Sequence, residues 1–477
     1  MAVRWRLSAP LSVFLILCCV PQYLDAQEQV PPSIQNAVEA NTPAAQPDPA
    51  INEIIKEISP DRIRQTIEKL AGFYTRHTLS VNNPEAATSD KGIVAARKWI
   101  KAEFERYSAE CHGCLEVTTD TFVEQPGDRI PVPTEIQNVY AILHGSDPQQ
   151  AKRIYLVTGH YDSRNSDPLN ATDEAPGAND DASGTAVSIE CARVLSKHRF
   201  PATVIFLAVA GEEQGLNGSA HFAKMARSKG WQIEGVLNND IVGGNRTPGD
   251  AQQRSNWVRV FSEGLPSSAT EADLRRIRST GGESDSISRE LARYMEEVAN
   301  TYAFGGFGPK LIFRRDRYLR GGDHSSFNAQ GYAAVRLTEY REDYNHQHQN
   351  VRTENGIEYG DLLKFVDFDY VANVARLNAA TLAALASSPA IPANVRLLTK
   401  QLENDSKLEW EGAPGAVGYE VLWRDTTAPR FLPQDVSRTT KTSVDLDQSK
   451  DNVIFAVRSV DSKGHRSLLV VPDPARN

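Results

Sequence analysis

Two uninterrupted apolar runs constrain the fold of this chain more than any other feature. Residues 153–158 (RIYLVT) and 203–209 (TVIFLAV) are rich in β-branched and apolar side chains and show no polar alternation. Such runs are typical of strands covered on both faces. An amphipathic helical pattern over 183–197 separates them, and weaker apolar runs end near Leu237 and Leu337. This alternation predicts an α/β fold with a doubly wound, mostly parallel sheet and helices on both faces.

The N-terminus has the pattern of an export signal. Arg4 and Arg6 precede a short apolar stretch at 11–20, and small residues follow at 24–26. The stretch is too short for a membrane span, so we predict a cleavable signal peptide over 1–26 and a secreted or periplasmic protein. Residues 27–50 are rich in Pro, Ala, Gln and Asn and are predicted to be a linker or propeptide. Helical periodicity begins at Ile51 and opens a main domain predicted over 51–388.

The last part of the chain has a different pattern. Residues 390–477 show short alternating runs with aromatic anchors, which predict a small all-β sandwich. The segments 408–411 (LEWE), 418–421 (GYEV) and 455–461 (FAVRSVD) resemble a fibronectin type III module. The formal net charge of −9 and the absence of a long basic run argue against nucleic acid as a partner.

Three cysteines remain after the predicted signal. Cys111 and Cys114 form a CxxC pattern directly before a strand-like segment, which favours a structural disulfide. Free thiols, a redox pair or half of a metal site are the alternatives. Cys191 shares helical spacing with apolar residues and is predicted to be a buried, inert thiol.

Polar side chains follow three of the predicted strands. His160 follows the first run, Glu212 and Glu213 follow the second, and Asp240 follows the third. The carboxyl ends of parallel strands meet at one edge of a sheet, so these side chains are expected to lie together. Imidazoles and carboxylates are the ligands of a metal-dependent hydrolase. The sequence therefore predicts a metal site at this edge.

Loop residues complete the predicted site. Asp180 lies in a loop at the start of a helix and could bridge two metal ions. Asp162, two residues after His160, could accept the second N–H of that imidazole. Of the adjacent acids Glu212 and Glu213, one could bind metal and the other could act as general base. For a last ligand, spacing leaves three histidines open: His324, His346 and His348.

The ordered motifs resemble those of the di-zinc aminopeptidase family, which includes secreted bacterial leucyl aminopeptidases, aminopeptidase Y, plasma glutamate carboxypeptidase and the inactive transferrin receptor. The motifs of this chain that carry the resemblance are H160-x-D162, N179-D180-D181-x-S-G, G211-E212-E213-x-G and N239-D240. The resemblance implies two Zn²⁺ ions, with His160 and Asp240 on one, Glu213 and His348 on the other, and Asp180 as the bridge. It implies Glu212 as general base.

The same resemblance bears on the last histidine and on the substrate pocket. Counting back from Thr353 selects His348 over His346, although Arg352 stands where the family usually has Asp. The segment that contains Asp323 and His324 matches one that lines the substrate pocket in bacterial members of the family.

Together with the export signal, the resemblance implies a secreted zinc exopeptidase that removes N-terminal residues from peptides, with Glu212 accepting a proton from metal-activated water. A carboxypeptidase or dipeptidase of the same family is the first alternative. A glutaminyl cyclase-like enzyme and an inactive binding scaffold are further alternatives. The metal ligands cannot separate these activities, and the region near 245–320 that could do so shows no clear pattern.

Overall fold

The computed structural model describes residues 47–85, 90–244, 247 and 249–476. The predicted signal peptide and residues 27–46 of the predicted linker lie outside the described residues. The first helix begins at Pro49, two residues inside that predicted linker. It begins there because the Asp48 side chain accepts a hydrogen bond from the backbone N–H of Ala50 and because Pro is favoured at the first helical position.

An eight-stranded mixed sheet forms the centre of the molecule. Its strands are β1 (Leu115–Glu124), β2 (Thr134–Leu143), β3 (Arg153–His160), β4 (Thr203–Val209), β5 (Gln232–Asn239), β6 (Trp257–Ser262), β7 (Gly308–Ile312) and β8 (Ala334–Glu339). They lie in the order β1-β2-β4-β3-β5-β8-β6-β7. The central run β4-β3-β5-β8 is parallel, whereas β2 pairs with β4 and β6 pairs with β8 in the antiparallel sense. The predicted α/β class with a mostly parallel centre is confirmed.

Helices cover both faces of this sheet. The longer helices are α1 (Pro49–Glu57), α2 (Pro60–Ala71), α3 (Gly92–Glu110), α4 (Ala182–Leu195), α5 (Asn217–Ser228), α6 (Glu271–Thr280), α7 (Ile287–Tyr302), α8 (His324–Ala329) and α9 (Phe368–Ser387). Val157 and Phe206 point toward the core that contains α1–α4, α7 and α9. Leu156 and Leu207, one residue away, point toward the core that contains α5 and α8. Both faces of each central strand are therefore buried, which explains their continuous apolar runs.

Short elements and a β-rich region complete the described chain. A hairpin is formed by β9 (Arg352–Glu354) and β10 (Ile357–Tyr359). The C-terminal strands are β11 (Ala393–Leu398), β12 (Ser406–Glu411), β13 (Gly418–Asp425), β14 (Val436–Thr439), β15 (Ser443–Leu446), β16 (Val453–Val460) and β17 (Asp473–Ala475). They form a four-stranded and a three-stranded sheet around one apolar cluster that includes Trp410 and Tyr419. The predicted all-β region is present; its likeness to fibronectin type III and the domain bounds 51–388 and 390–477 stay predictions.

The cysteines lie as the sequence favours. Cys111 and Cys114 are joined by a disulfide directly before β1, and Cys191 is a buried free thiol in α4.

Within the described ranges, no helix combines the length and apolar character needed to cross a membrane.

Candidate metal centre

Three adjacent parallel strands deliver polar side chains to one edge of the sheet. His160 is the last residue of β3, Asp240 follows β5, and Glu212 and Glu213 follow β4 after a turn. Gly211 in this turn has a φ of +75°, a conformation that glycine adopts without strain. Asp180 reaches the same edge from the loop before α4, and His348 from the loop after β8. The structure thus brings together all six side chains that the sequence and the resemblance selected for metal binding or as the base.

These side chains form two groups of possible ligands. In each group the ligand atoms lie within 4.8 Å of one another: His160, Glu212 and Asp240 form the first, and Asp180, Glu213 and His348 form the second. Asp180 connects the groups. Its Oδ1 lies 3.2 Å from Nε2 of His160, and its Oδ2 lies 2.9 Å from Nε2 of His348. One carboxylate therefore faces both imidazoles, as a bridging ligand must.

The chemistry of both groups suits zinc. Each group offers one imidazole nitrogen and carboxylate oxygens, a donor set that Zn²⁺ accepts. Nε2 of His160 is buried and has no hydrogen-bond partner among the described residues, although it faces Asp180 and Asp240. Nε2 of His348 lies 3.0 Å from Oε1 of Glu213. Atoms bound to one zinc at about 2.1 Å lie roughly 3.4 Å apart in a tetrahedron, so both groups have the right size.

Asp162 supports this edge through the backbone as well as through His160. Nδ1 of His160 lies 3.2 Å from the Asp162 carbonyl oxygen and 3.5 Å from its carboxylate. The carboxylate accepts hydrogen bonds from the backbone N–H groups of Glu212 and Glu213 and from the Thr78 hydroxyl. Sequence spacing anticipated the contact with His160. It did not anticipate that the same side chain holds the turn that carries both glutamates.

Asp361 holds the loop that carries Asp180, and sequence reasoning missed it. Its carboxylate accepts hydrogen bonds from the backbone N–H groups of Asn179 and Asp180 at 2.7 to 3.0 Å. Burial raises the pKa of Asp361 to about 7, because the charged form loses its hydration. Asp181 caps α4 and accepts from the backbone N–H groups of His160 and Gly184. No local motif marks Asp361, since it lies 181 residues from its partner Asp180.

His348 and His346 lie in different environments. His348 lies between Asp180 and Glu213, whereas the His346 ring stacks on Phe365 with 3.6 Å between ring centroids. Arg352, which breaks the family pattern, is exposed and pairs with Glu354 at 3.0 Å. The structure therefore brings His348, not His346, to the second group of ligands.

Arg164 is a further residue that the sequence did not single out. Its Nε donates to Oε2 of Glu213 at 2.9 Å, and its Nη2 lies 2.6 Å from Nδ1 of His348. A guanidinium has only donors, and an imidazole that binds metal through Nε2 normally donates from Nδ1. If zinc binds Nε2 of His348, one of two changes must follow. Either Arg164 moves away from Nδ1, or the imidazole ring loses both of its N–H protons.

Asp323 and His324 are buried next to the site, and their predicted role in the substrate pocket stays a prediction. Both side chains are fully buried and neither lines the cavity above the ligand groups. His324 Nε2 contacts the Arg315 carbonyl oxygen at 2.8 Å, and burial lowers the pKa of this imidazole to about 4. Burial raises the pKa of the Asp323 carboxyl to about 7. Asp323 precedes α8 and His324 begins it, and Phe327 of this helix packs in the second apolar core.

Charged neighbours differ between the carboxylates of the first group. Nη2 of the buried Arg336 lies 2.8 Å from Oδ1 of Asp240. Although burial alone would raise the pKa of Asp240, Arg336 and His160 hold it below its usual value. Burial raises the pKa of Glu212 well above its usual value, and Asp240 and Glu213 add to the rise. The two carboxylates of this group thus differ in the direction in which their surroundings shift the pKa.

The fold and the ligand groups define a metal-dependent hydrolase of the α/β class, and relatives identify its family. The model of peptidase family M28 matches residues 138–367. A probable zinc metalloprotease of Pyrenophora teres f. teres is 45% identical over 435 residues, which cover 90% of this chain and 88% of the relative. One of Pyricularia oryzae is 46% identical over 441 residues, which cover 90% and 85%. The chain belongs to peptidase family M28 and is a zinc metallopeptidase.

A solved structure agrees with this fold. LapA of Legionella pneumophila superposes with a TM-score of 0.50 at 21% identity, over 73% of this chain and 79% of LapA. At this identity the likeness concerns the fold alone.

Proposed function

We propose that this chain is an exported exopeptidase with two zinc ions that removes N-terminal residues from peptides. The observation that carries the proposal is the pair of ligand groups joined by Asp180, with Glu212 open to the cavity above them. In this proposal His160 and Asp240 hold one ion, Glu213 and His348 hold the other, and Asp180 bridges.

The protein side chains have separate roles in the proposed reaction. Bound zinc supplies Lewis acidity and lowers the pKa of a coordinated water. Glu212 accepts the proton of the attacking water and returns it to the leaving amine. Asp162 keeps the Glu212 backbone in place, and Asp361 does the same for Asp180. The proposed substrate is a peptide. Separately, we propose that residues 390–477 form a fibronectin type III-like module with a packing role.

Glu212→Gln separates the role of base from the role of ligand, since Glu212 lies within the first ligand group. We expect the variant to keep its zinc, measured by atomic absorption, and to lose hydrolysis by about 100-fold or more. Loss of one zinc would identify Glu212 as a ligand, and retained activity would refute it as base. The control variant Glu409→Gln, in β12 far from the ligand groups in sequence and with 39% of its side chain exposed, should match the unmodified protein.

N-blocked and C-blocked dipeptides test the end of the peptide that is cleaved. An aminopeptidase should cleave a C-amidated dipeptide and reject its N-acetylated counterpart. Undiminished cleavage of the acetylated peptide would refute the proposal and favour a carboxypeptidase.

Export is proposed from the pattern of residues 1–26 and is supported by the Cys111–Cys114 disulfide, which persists in oxidising compartments. N-terminal sequencing of the mature protein should start near Gln27. An intact Met1 in the mature protein would contradict cleavage.

A further inference from the structure

We propose that the cavity above the metal ligands binds a substrate carboxylate next to the scissile bond, through Arg129 and Arg320. This inference rests on the proposed peptidase function and names the class of substrate. Guanidinium groups bind carboxylates through paired, charge-assisted hydrogen bonds, which makes arginine the preferred partner of such a group.

The lining of the cavity is charged. Its volume is about 400 Å³, and four of its lining residues are arginines. Leu216 is the only large apolar side chain among the described residues that line it. An aliphatic substrate side chain would therefore bury little apolar surface here, whereas an anionic group would meet several cationic ones.

Two of the four arginines are already engaged. Arg164 is bound to Glu213 and His348, and 13% of its side chain is exposed. Arg317 binds Asp316 at 3.1 Å and Glu342 at 2.9 Å, and 9% of its side chain is exposed. These two guanidinium groups support the protein and have little capacity for substrate.

Arg129 has free donors and a fixed position. It is exposed, and Nη1 donates to the Glu213 carbonyl oxygen at 2.9 Å. Among the described residues, no carboxylate forms an ion pair with it. The turn that carries Arg129 is held by the buried Ile130, whose backbone exchanges two hydrogen bonds with Gly127. Since a guanidinium has five N–H donors, most of those of Arg129 remain for a ligand.

Arg320 faces the cavity with its charge only partly neutralised. Its Nη1 lies 3.1 Å from Oε2 of Glu342, and 34% of its side chain is exposed. The same carboxylate also binds Arg259 and Arg317 at 2.8 and 2.9 Å. Three guanidinium groups thus contact the Glu342 carboxylate, and among the described residues only Arg317 of the three has a second carboxylate partner, Asp316, so positive charge is in excess on this wall.

The acids that line the cavity do not cancel this charge. Asp180, Glu212, Glu213 and Asp240 are the proposed metal ligands and base, so bound cations compensate them. The arginines remain as the charged groups that a substrate meets. The carboxylate can come from an acidic N-terminal side chain or from the C-terminus of a short peptide.

Matched substrates distinguish these two sources. The first arm compares the 4-nitroanilides of glutamate and glutamine, which lack a C-terminal carboxylate and differ only in side-chain charge. The second arm compares Ala-Ala with Ala-Ala-amide. In one of the two arms, we expect the purified zinc-loaded protein to hydrolyse the substrate that carries the carboxylate faster than its neutral counterpart. The value of kcat/KM should be roughly 10- to 100-fold higher, mainly because KM is lower.

Variants connect this preference to the two arginines. Arg129→Gln and Arg320→Gln should each reduce the preference ratio, and the double variant should bring it near one. Arg352→Gln, an exposed arginine outside the cavity, is the matched control and should keep the ratio. An absent preference in both arms, or a ratio unchanged in the double variant, overturns the inference.

Binding without turnover separates failure of this inference from failure of the proposed function. Calorimetric titration with glutarate should show binding at least tenfold weaker in the double variant than in the unmodified protein at equal zinc content. If no peptide is cleaved but this difference is observed, the exopeptidase proposal fails and the carboxylate site stands. Equal glutarate binding refutes the site whether or not peptides are cleaved.

Discussion

At the scale of single residues, two kinds of buried aspartate build the site. Asp180 and Asp240 direct their carboxylates toward the imidazoles. Asp162 and Asp361 instead accept hydrogen bonds from backbone N–H groups and hold the loops that carry the ligands. A buried carboxylate is stabilised by such donors when it has no cation beside it. The ligand positions therefore depend on residues that do not bind metal.

Asp162→Asn tests this dependence. The amide has one oxygen in place of two and turns N–H donors toward the N–H groups of Glu212 and Glu213, so the turn should shift. We expect zinc affinity, measured by competition with a chelating dye, to fall by roughly 10- to 100-fold. Asp451→Asn, on an exposed turn of the small sheets, is the control. Unchanged affinity in the Asp162 variant would show that the contact does not position the glutamates.

At the scale of elements, the close approach of α4 to the sheet places the Asp180 loop. A Cβ atom at Gly184 would lie closer than 3.0 Å to the carbonyl oxygen of Asn239, and one at Gly159 would be equally close to the Gly184 backbone. Glycine at both positions lets the first turn of α4 lie directly on the ends of β3 and β5. This contact brings Asp180 within reach of His160.

Gly184→Ala should therefore destabilise the protein and disturb the site. The added methyl group has no space, so the free energy of unfolding in urea should fall by about 1–3 kcal/mol. Gly282→Ala, where the nearest atom to a new Cβ lies at 3.5 Å, should change it by less than about 1 kcal/mol. Equal stability of the two variants would contradict tight packing at Gly184.

At the scale of the whole molecule, charged contacts join the C-terminal β-rich region to the helices of the main domain. Arg424 of β13 pairs with Asp285 at 2.5 Å, and Arg458 of β16 pairs with Glu297 of α7 at 2.7 Å. His465 contacts Asp48 at 2.9 Å, directly before α1. The small sheets therefore hold both α7 and the start of the first helix.

The His465 contact predicts a pH-dependent contribution to stability. Burial alone would lower the pKa of His465, but Asp461 and Asp48 raise it above its usual value of 6.5. Because the pKa of His465 is higher in the folded state, its contacts stabilise the fold fully below pH 6.5. This contribution is lost as the pH rises through the folded-state pKa.

His465→Gln should thus lower the free energy of unfolding by about 1 kcal/mol at pH 5.5 and by less at pH 9, in urea titrations. The exposed His144, which contacts Glu116 at 2.7 Å, provides the control variant His144→Gln, with little effect at either pH. A deficit in the His465 variant that is larger at pH 9 would refute the assigned direction.

The elements β4, α4 and α7 show which parts of the fold the sequence pattern predicts. The run 203–209 coincides with β4, and the helical pattern over 183–197 corresponds to α4 (Ala182–Leu195), because continuous burial and helical spacing leave direct traces. The strands and helices near 245–320 were not predicted. In α7, the buried Arg289 and Arg293 interrupt the apolar pattern. Arg293 pairs with Asp285 and Glu290, and Arg289 donates to the carbonyl oxygens of Glu283 and Phe313.

The sequence by itself determined the α/β class, the strand ends that carry His160, Glu212, Glu213 and Asp240, and the disulfide-forming CxxC pattern. These features are local, because strand periodicity and the residues after a strand do not depend on distant contacts. Spacing alone left His324, His346 and His348 open and the family resemblance selected His348; the tertiary structure brings His348 to Asp180 and stacks His346 on Phe365. Only the tertiary structure decided that Asp361, Arg164 and Arg129 surround the site. The contacts of Asp361, Arg164 and Arg129 join loops that lie 84 to 184 residues apart in the sequence, where packing and charge pairing, rather than local propensity, select the partner.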